Sequence, residues 1–271
     1  MSYSENPFFP SDAAPESRIK LDNVVARRSN KTIYRDGDKS IKVFDLNFPK
    51  TDILNEALNQ SRVEVTPLNT PRLLEVLKLD GRWAIVSEYI SGKTLADLMR
   101  DNPDKFDEYL HIFVEMQLVV QAQHVSDLND LRDKMSRRIA RAGLSEERRA
   151  ELSARLSEMA DLDSVCHGDF FPTNIIIAAY GTPYIIDWSH VTQGDPAADA
   201  ALTYLLFVTN GQPDHADRYL DVYCELSGAD KEHVGRLIPV VAAAHAEKAP
   251  HGGRDILIKY ANGELGWRRG K

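Results

Sequence analysis

Two short stretches hold residues whose types and spacing can do chemistry. The first is His167-Gly168-Asp169-Phe170-Phe171-Pro172-Thr173-Asn174, and the second, after an apolar run, is Ile185-Ile186-Asp187-Trp188. Asp169 and Asn174 lie on one loop, so a carboxylate and a side-chain amide can face the same place. Residues 175–177 and 184–186 read as a hairpin turning at Tyr180-Gly181-Thr182-Pro183, which brings Asp187 back beside Asn174. A carboxylate that orients a hydroxyl, with oxygen ligands holding Mg²⁺ against phosphates, is what phosphoryl transfer asks of a protein, because the reaction needs little covalent help. Asp169 is then the base, and Asn174 and Asp187 hold the metal. A helix-entry loop followed by a structural hairpin accounts for each residue singly, but not for the ordered set.

His-Gly-Asp-x-x-x-x-Asn followed by Ile-Asp-Trp resembles the aminoglycoside phosphotransferase and choline kinase group of the protein-kinase-like fold. The resemblance covers the order of elements over residues 23–207. It implies ATP and Mg²⁺ as cofactors, a lysine on the third strand and a glutamate on the helix that follows. Lys42 fits the lysine, because the alternation of Ser40-Ile41-Lys42-Val43-Phe44 turns it away from Ile41 and Val43. Glu56 fits the glutamate. Lys31 and Lys39 are rivals for the lysine and fall in turns. The resemblance further implies a hinge at Ser87-Glu88-Tyr89-Ile90, with the Ser87 carbonyl and Tyr89 amide on adenine. Asp199 would brace the catalytic loop and His167 would pack and hydrogen-bond within it. Where protein kinases have a glycine-rich loop, this chain has Arg28-Ser29-Asn30-Lys31-Thr32, so the Ser29 and Thr32 hydroxyls or the turn amides are the phosphate contacts expected there.

The elements that must position these residues follow a simple order. Strands are expected at 23–28, 32–35, 40–44, 73–79 and 83–89, with a helix at 51–63 after the third. That helix should start at a Thr51 cap and bury Leu54, Ala57, Leu58 and Ser61. Helices follow at 95–100, 106–123, 130–142 and 145–159, then a β-rich stretch at 165–188, then helices to the end. The expected fold is α+β and bilobal: a β-rich N-lobe with one helix (1–90) and a larger, mostly helical C-lobe (91–271), divided near Ser91-Gly92.

With 271 residues and 43% apolar content, the chain can bury a sizeable core. A formal charge of -8 with no long basic run argues against nucleic acid. Cys166 and Cys224 fit no disulfide or metal spacing, which points to a reducing, cytoplasmic setting. Residues 1–15 lack the basic flank and apolar core of a signal peptide, and no apolar run reaches the length of a membrane span. Ser91-Gly92-Lys93-Thr94 imitates a P-loop tail, but the glycine required five positions before Gly92 is Ser87. Asp187 is followed almost at once by Gly194-Asp195 and a helix near Asp199, which leaves little room for a peptide platform. The expected partner is a small-molecule hydroxyl acceptor. Asp127, Asp195, Glu225 and Glu247 are acids that can face an amine on it or serve as surface. A nucleotide-binding or regulatory protein without turnover is the other class, and the intact set Lys42, Glu56, Asp169, Asn174 and Asp187 opposes it.

Overall fold

Alternating strands separated by Gly-containing turns build the N-terminal part of the computed structural model, which describes residues 19–247, 249 and 251–267. Residues 1–15, read above as carrying no signal peptide, lie outside the described residues. Strands β1 (Val24–Arg27), β2 (Lys31–Asp36), β3 (Lys39–Phe44), β4 (Leu73–Leu79) and β5 (Arg82–Glu88) form one antiparallel sheet in the order β1-β2-β3-β5-β4. Asp80 and Gly81, both at positive φ (48° and 79°), make the tight β4–β5 turn that an Asp-Gly pair favours. The sheet has two apolar faces. Ile41, Val43, Ala84 and Val86 pack together on one, while Phe44 and Ile85 meet Ile53 and Ala57 of helix α1 (Lys50–Val63) on the other.

Helix α1 corrects two expectations. It begins at Lys50 behind Pro49, so Thr51 is inside the first turn and is not the cap. Its buried positions are Ile53, Glu56, Ala57, Asn59 and Val63, whereas Leu54 and Leu58 are 41% and 48% exposed. The inward face is set by polar residues that have partners in the cleft, and the leucines turn outward.

From β6 (Gly92–Thr94) onward the chain is mainly helical: α2 (Leu95–Asp101), α3 (Phe106–Gln121), α4 (Leu131–Ile139) and α5 (Glu146–Ser157). Asp130 and Ser145 cap α4 and α5 by accepting from the Asp133 and Arg148 amides. The P-loop imitation is resolved by β6. Lys93 pairs with Asp101 at 3.0 Å and Thr94 caps α2. Four short strands follow: β7 (Ser164–Cys166), β8 (Ile175–Ala178), β9 (Pro183–Ile185) and β10 (Thr192–Gly194). β8 and β9 are the expected hairpin, while β6 beside β8 and β10 beside β7 are pairings too short to show in sequence periodicity.

The last four described helices are α6 (Pro196–Thr209), α7 (Pro213–Ser227), α8 (Lys231–Ala246) and α9 (His251–Asn262). α6 is apolar almost all round and lies at the centre of the C-terminal core, against Phe113, Tyr219, Val241 and Leu257. The chain is thus α+β, with an antiparallel sheet and one helix at its N-terminal end and a larger helical part after it. Among the described residues no helix is long and apolar enough to cross a membrane.

Candidate active site

The loop between β7 and β8 is shaped by one glycine. Gly168 has φ +76°, and a Cβ there would stand 2.5 Å from the His190 carbonyl oxygen, so a side chain is excluded both by conformation and by space. The Gly168 amide donates to Asp199 Oδ1 at 2.9 Å. Asp199 is 3% exposed and its other oxygen accepts from Gln117 at 3.3 Å and Gln121 at 3.5 Å. Tyr219 and Tyr223 donate in turn to those two glutamines, and Thr203 donates to the Phe170 carbonyl. A buried polar network from α3, α6 and α7 therefore supports the loop from below.

His167 ties the loop to the strand that precedes Asp187. The Asp169 amide donates to its Nδ1 at 3.3 Å, and its Nε2 lies 3.1 Å from the Ile186 carbonyl, which calls for the proton on Nε2. Burial lowers the His167 pKa against the pull of Asp199, which keeps the ring neutral and able to play both parts.

Within this frame Asn174 Nδ2 donates to the Asp169 carbonyl at 2.8 Å and to Asp169 Oδ2 at 3.1 Å, while the Ile186 amide donates to the Asn174 carbonyl at 2.9 Å. Asp169 and Asn174 thus share a loop, and Asp187 follows one residue beyond the tie. Burial, with Asp187 adding to it, pushes the Asp169 carboxyl up to about 7, against the opposing effect of Asn174 and Lys31.

Asp187 is a non-glycine residue in the left-handed region, at φ 63° and ψ 60°. Its Oδ1 is buried without a hydrogen bond, with the Lys42 ammonium 3.5 Å away. Burial alone would raise its pKa, but Lys42 and Lys31 hold it well below the usual carboxylate range. An orphan carboxylate oxygen suits a hard divalent cation such as Mg²⁺. So does an Asn174 amide whose nitrogen is already used, leaving its oxygen as the remaining ligand. The residues present fit the metal.

On the N-terminal side, Lys42 is hydrogen-bonded to Glu56 of α1. Burial disfavours its charge, yet Asp187 and Glu56 outweigh that and raise its pKa. Asn59 Nδ2 donates to the Ser189 carbonyl at 3.3 Å, so α1 also holds the segment after Asp187.

The other expected contacts lie differently. Ser87 sits within β5 between Ser40 and Leu73. The Tyr89 amide donates to the Asp38 carbonyl at 2.7 Å and its ring lies 4.2 Å under the Arg35 guanidinium, so that amide is engaged within the sheet. Ser29 is exposed in the β1–β2 bend. Asp195 caps α6, pairs with His233 at 3.2 Å and lines a cavity of about 810 Å³ whose lining does not include Asp169. Asp127 and Glu225 are exposed, and Glu247 stands 3.9 Å from Arg141. Beside Gly168 the polar lining of a small crevice is Lys134, Arg138, Asp199 and His245 instead.

Two site residues escaped the sequence reading. Asn59 has no local signal. Lys31, set aside as a turn residue, opens β2 and reaches Asp187 and Glu56 at 3.6 and 3.8 Å. A signal did exist: a two-residue turn at Gly37-Asp38 fixes the β2–β3 register, which pairs Ile33 with Lys42 and Lys31 with Phe44 and puts both lysines on one face.

Comparison with known proteins gives the chain a family and a fold. The family model described as the phosphotransferase enzyme family matches residues 42–237. A thermostable mutant of aminoglycoside phosphotransferase APH(4)-Ia, solved as a ternary complex with AMP-PNP and hygromycin B, superposes with a TM-score of 0.65 at 15% identity, covering 92% of this chain and 97% of that one. A choline/ethanolamine kinase family protein from Mesorhizobium loti does so at 0.54 and 14%, covering 92% and 82%. ADP-bound aminoglycoside phosphotransferase APH(2'')-Ib does so at 0.56 and 13%, covering 89% and 90%. No curated protein matches the chain by sequence.

Proposed function

This chain belongs to the phosphotransferase enzyme family, and from that membership we propose that it transfers the γ-phosphate of Mg²⁺-bound ATP to a hydroxyl of a small molecule. The observation that carries this reading is the convergence of Asp169, Asn174 and Asp187 through the Asn174–Asp169 hydrogen bonds and the Ile186–Asn174 backbone tie. Residues 1–90 act as the nucleotide-binding lobe and residues 91–271 as the catalytic and acceptor-binding lobe.

In this mechanism Asp169 accepts a hydrogen bond from the acceptor hydroxyl and takes its proton as the acceptor oxygen bonds to the γ-phosphorus and the bond from that phosphorus to the bridging oxygen breaks to release ADP, which suits a carboxyl pushed up to about 7. Lys42, anchored by Glu56, positions the α- and β-phosphates. Asn174 and Asp187 hold the metal, which when bound neutralises phosphate charge. His167 and Asp199 position the loop without touching substrate. The adenine edge is assigned to the hinge segment 87–90 as a whole, because Ser87 pairs with Ser40 and Leu73 inside the sheet and the Tyr89 amide donates to the Asp38 carbonyl.

A coupled ATP-consumption assay over a panel of small alcohols tests the reading. Aminoglycosides and choline-like compounds belong in the panel because solved relatives of this fold carry those names. The expected result is acceptor-dependent turnover that Asp169→Asn lowers by roughly 10²- to 10⁴-fold with nucleotide affinity kept. Equal turnover in the variant, or no acceptor-dependent consumption across the panel, would sink the proposal.

A further inference from the structure

Lys31 and Lys42 face the same two acids. The Lys31 ammonium stands 3.6 Å from Asp187 Oδ2 and 3.8 Å from Glu56 Oε2, while Lys42 takes Glu56 Oε1 and lies 3.5 Å from Asp187 Oδ1. Two ammonium groups and two carboxylates alternate around a ring of zero net charge. Lys42 alone satisfies the pairing with Glu56 that the fold uses. Lys31 is 16% exposed at its side chain and sits beyond hydrogen-bond distance of both carboxylates. Two ion pairs longer than a hydrogen bond, with the Phe44 ring 5.9 Å from the ammonium, hold Lys31 in the cleft loosely enough for an anionic ligand to draw it away.

The backbone around it narrows the choice. The β1–β2 bend is tight: the Arg28 amide donates to the Lys31 carbonyl at 2.9 Å and the Asp45 amide donates to the Asn30 carbonyl at 3.0 Å. Residues 28–32 contain no glycine, so the turn lacks the residue that lets backbone amides close over a phosphate. A flexible four-carbon side chain ending in three donors does the same work from further away.

We infer that Lys31 is a second phosphate-binding cation of the cleft, donating to the nucleotide polyphosphate from the bend where a glycine-rich loop would otherwise lie. It rests on the reading that the cleft takes Mg²⁺-ATP. Before nucleotide binds, Asp187 and Glu56 hold the ammonium in place. With a divalent cation held by Asp187, Lys31 would exchange its ion pair with that carboxylate for the phosphate oxygens beside the metal.

The test needs no acceptor. Isothermal titration calorimetry with Mg²⁺ gives the affinities of ATP, ADP and adenosine for the wild type, Lys31→Met, Lys31→Gln and Lys31→Arg, with Tm recorded for each. The expected result is a loss of roughly 10- to 100-fold for ATP and ADP in Lys31→Met and Lys31→Gln, as befits a charged hydrogen bond. Adenosine affinity stays within about twofold, and Lys31→Arg recovers most of the loss. ATP affinity unchanged in both neutral variants would overturn the inference while leaving the phosphotransferase reading intact. An equal fall for adenosine would also overturn it, because that pattern reports a disturbed sheet. A wild type that binds none of the nucleotides overturns both.

Discussion

Asp187 combines a left-handed backbone, a carboxylate oxygen without a hydrogen bond and two ammonium neighbours. A non-glycine residue at φ 63° is sparsely populated, and Asp and Asn tolerate it better than other side chains because they are short and polar. Asp187→Asn is therefore a cleaner probe than alanine: it keeps the backbone and removes the charge. We expect AMP-PNP to bind that variant equally well with Mg²⁺ and with EDTA, whereas the wild type should lose roughly tenfold or more on chelation. Calorimetry that shows the same metal-dependent gain in both would remove Asp187 from the metal site. Cys166 makes a second case at this scale. Its thiol is buried, and burial together with Asp199 and Asp195 raises its pKa well above the ordinary value. The thiolate is the reactive form, so intact-mass labelling with a maleimide should leave Cys166 unmodified in the native protein and modify it only on unfolding. Rapid native labelling at Cys166 would contradict the packing of β7.

Helix α6 shows how an element holds the 167–174 loop, proposed above as catalytic, from its buried side. Asp199 accepts from the Gly168 amide and from two glutamines of α3, so Asp199→Ala strands the buried Gly168 amide and leaves Gln117 and Gln121 with only Thr203 and Pro196 as acceptors. That should cost about 3 kcal/mol or more, seen as an earlier midpoint in urea. Gly168→Ala should lose activity as well as stability, because its Cβ meets the His190 carbonyl. Helix α1 offers the opposite contrast. Ile53→Ala should cost roughly 2–5 kcal/mol, while Leu54→Glu on the same helix should stay within about 0.5 kcal/mol. Reversal of that order would mean the helix is rotated. The same helix shows what sequence alone could carry. The strands, the hairpin and the Asp169–Asn174–Asp187 spacing were legible because each is local: turn chemistry, alternation and a short loop. The face of α1 was not, since Asn59 turns inward to a partner at Ser189 that lies 130 residues away, and the spacing of the leucines gives no sign of it. Lys31 was misjudged for the same reason, because its meaning depends on the β2–β3 register and on Asp187. The β6–β8 and β7–β10 pairings join strands of three or four residues, shorter than any periodic signal.

At the scale of the whole molecule, α1 is the strut between its two parts. Ile53 and Ala57 pack under the sheet with Phe44 and Ile85, while Val63 at the other end of the helix is fully buried in the helical core. The Asn69 carbonyl accepts from Ile185 at 2.9 Å, Asn59 reaches Ser189, and both cleft lysines reach Asp187. A ligand held by the sheet and by the Asp187 segment therefore bridges everything that α1 already joins. Binding to the folded state alone stabilises it by about 2.7 kcal/mol at a hundred times Kd, and a chain of this size gains roughly 2–4 °C per kcal/mol. Mg²⁺ with AMP-PNP at that concentration should thus raise Tm by roughly 5–11 °C in one transition. With a tenfold or greater loss of affinity, EDTA should remove about half of the shift or more, and adenosine at the same concentration should give little of it. Scanning calorimetry distinguishes the outcomes. Two separated transitions, with only one moved by nucleotide, would mean that α1 does not couple the parts. An equal shift with and without EDTA would mean that the nucleotide is held without the Asn174–Asp187 metal site.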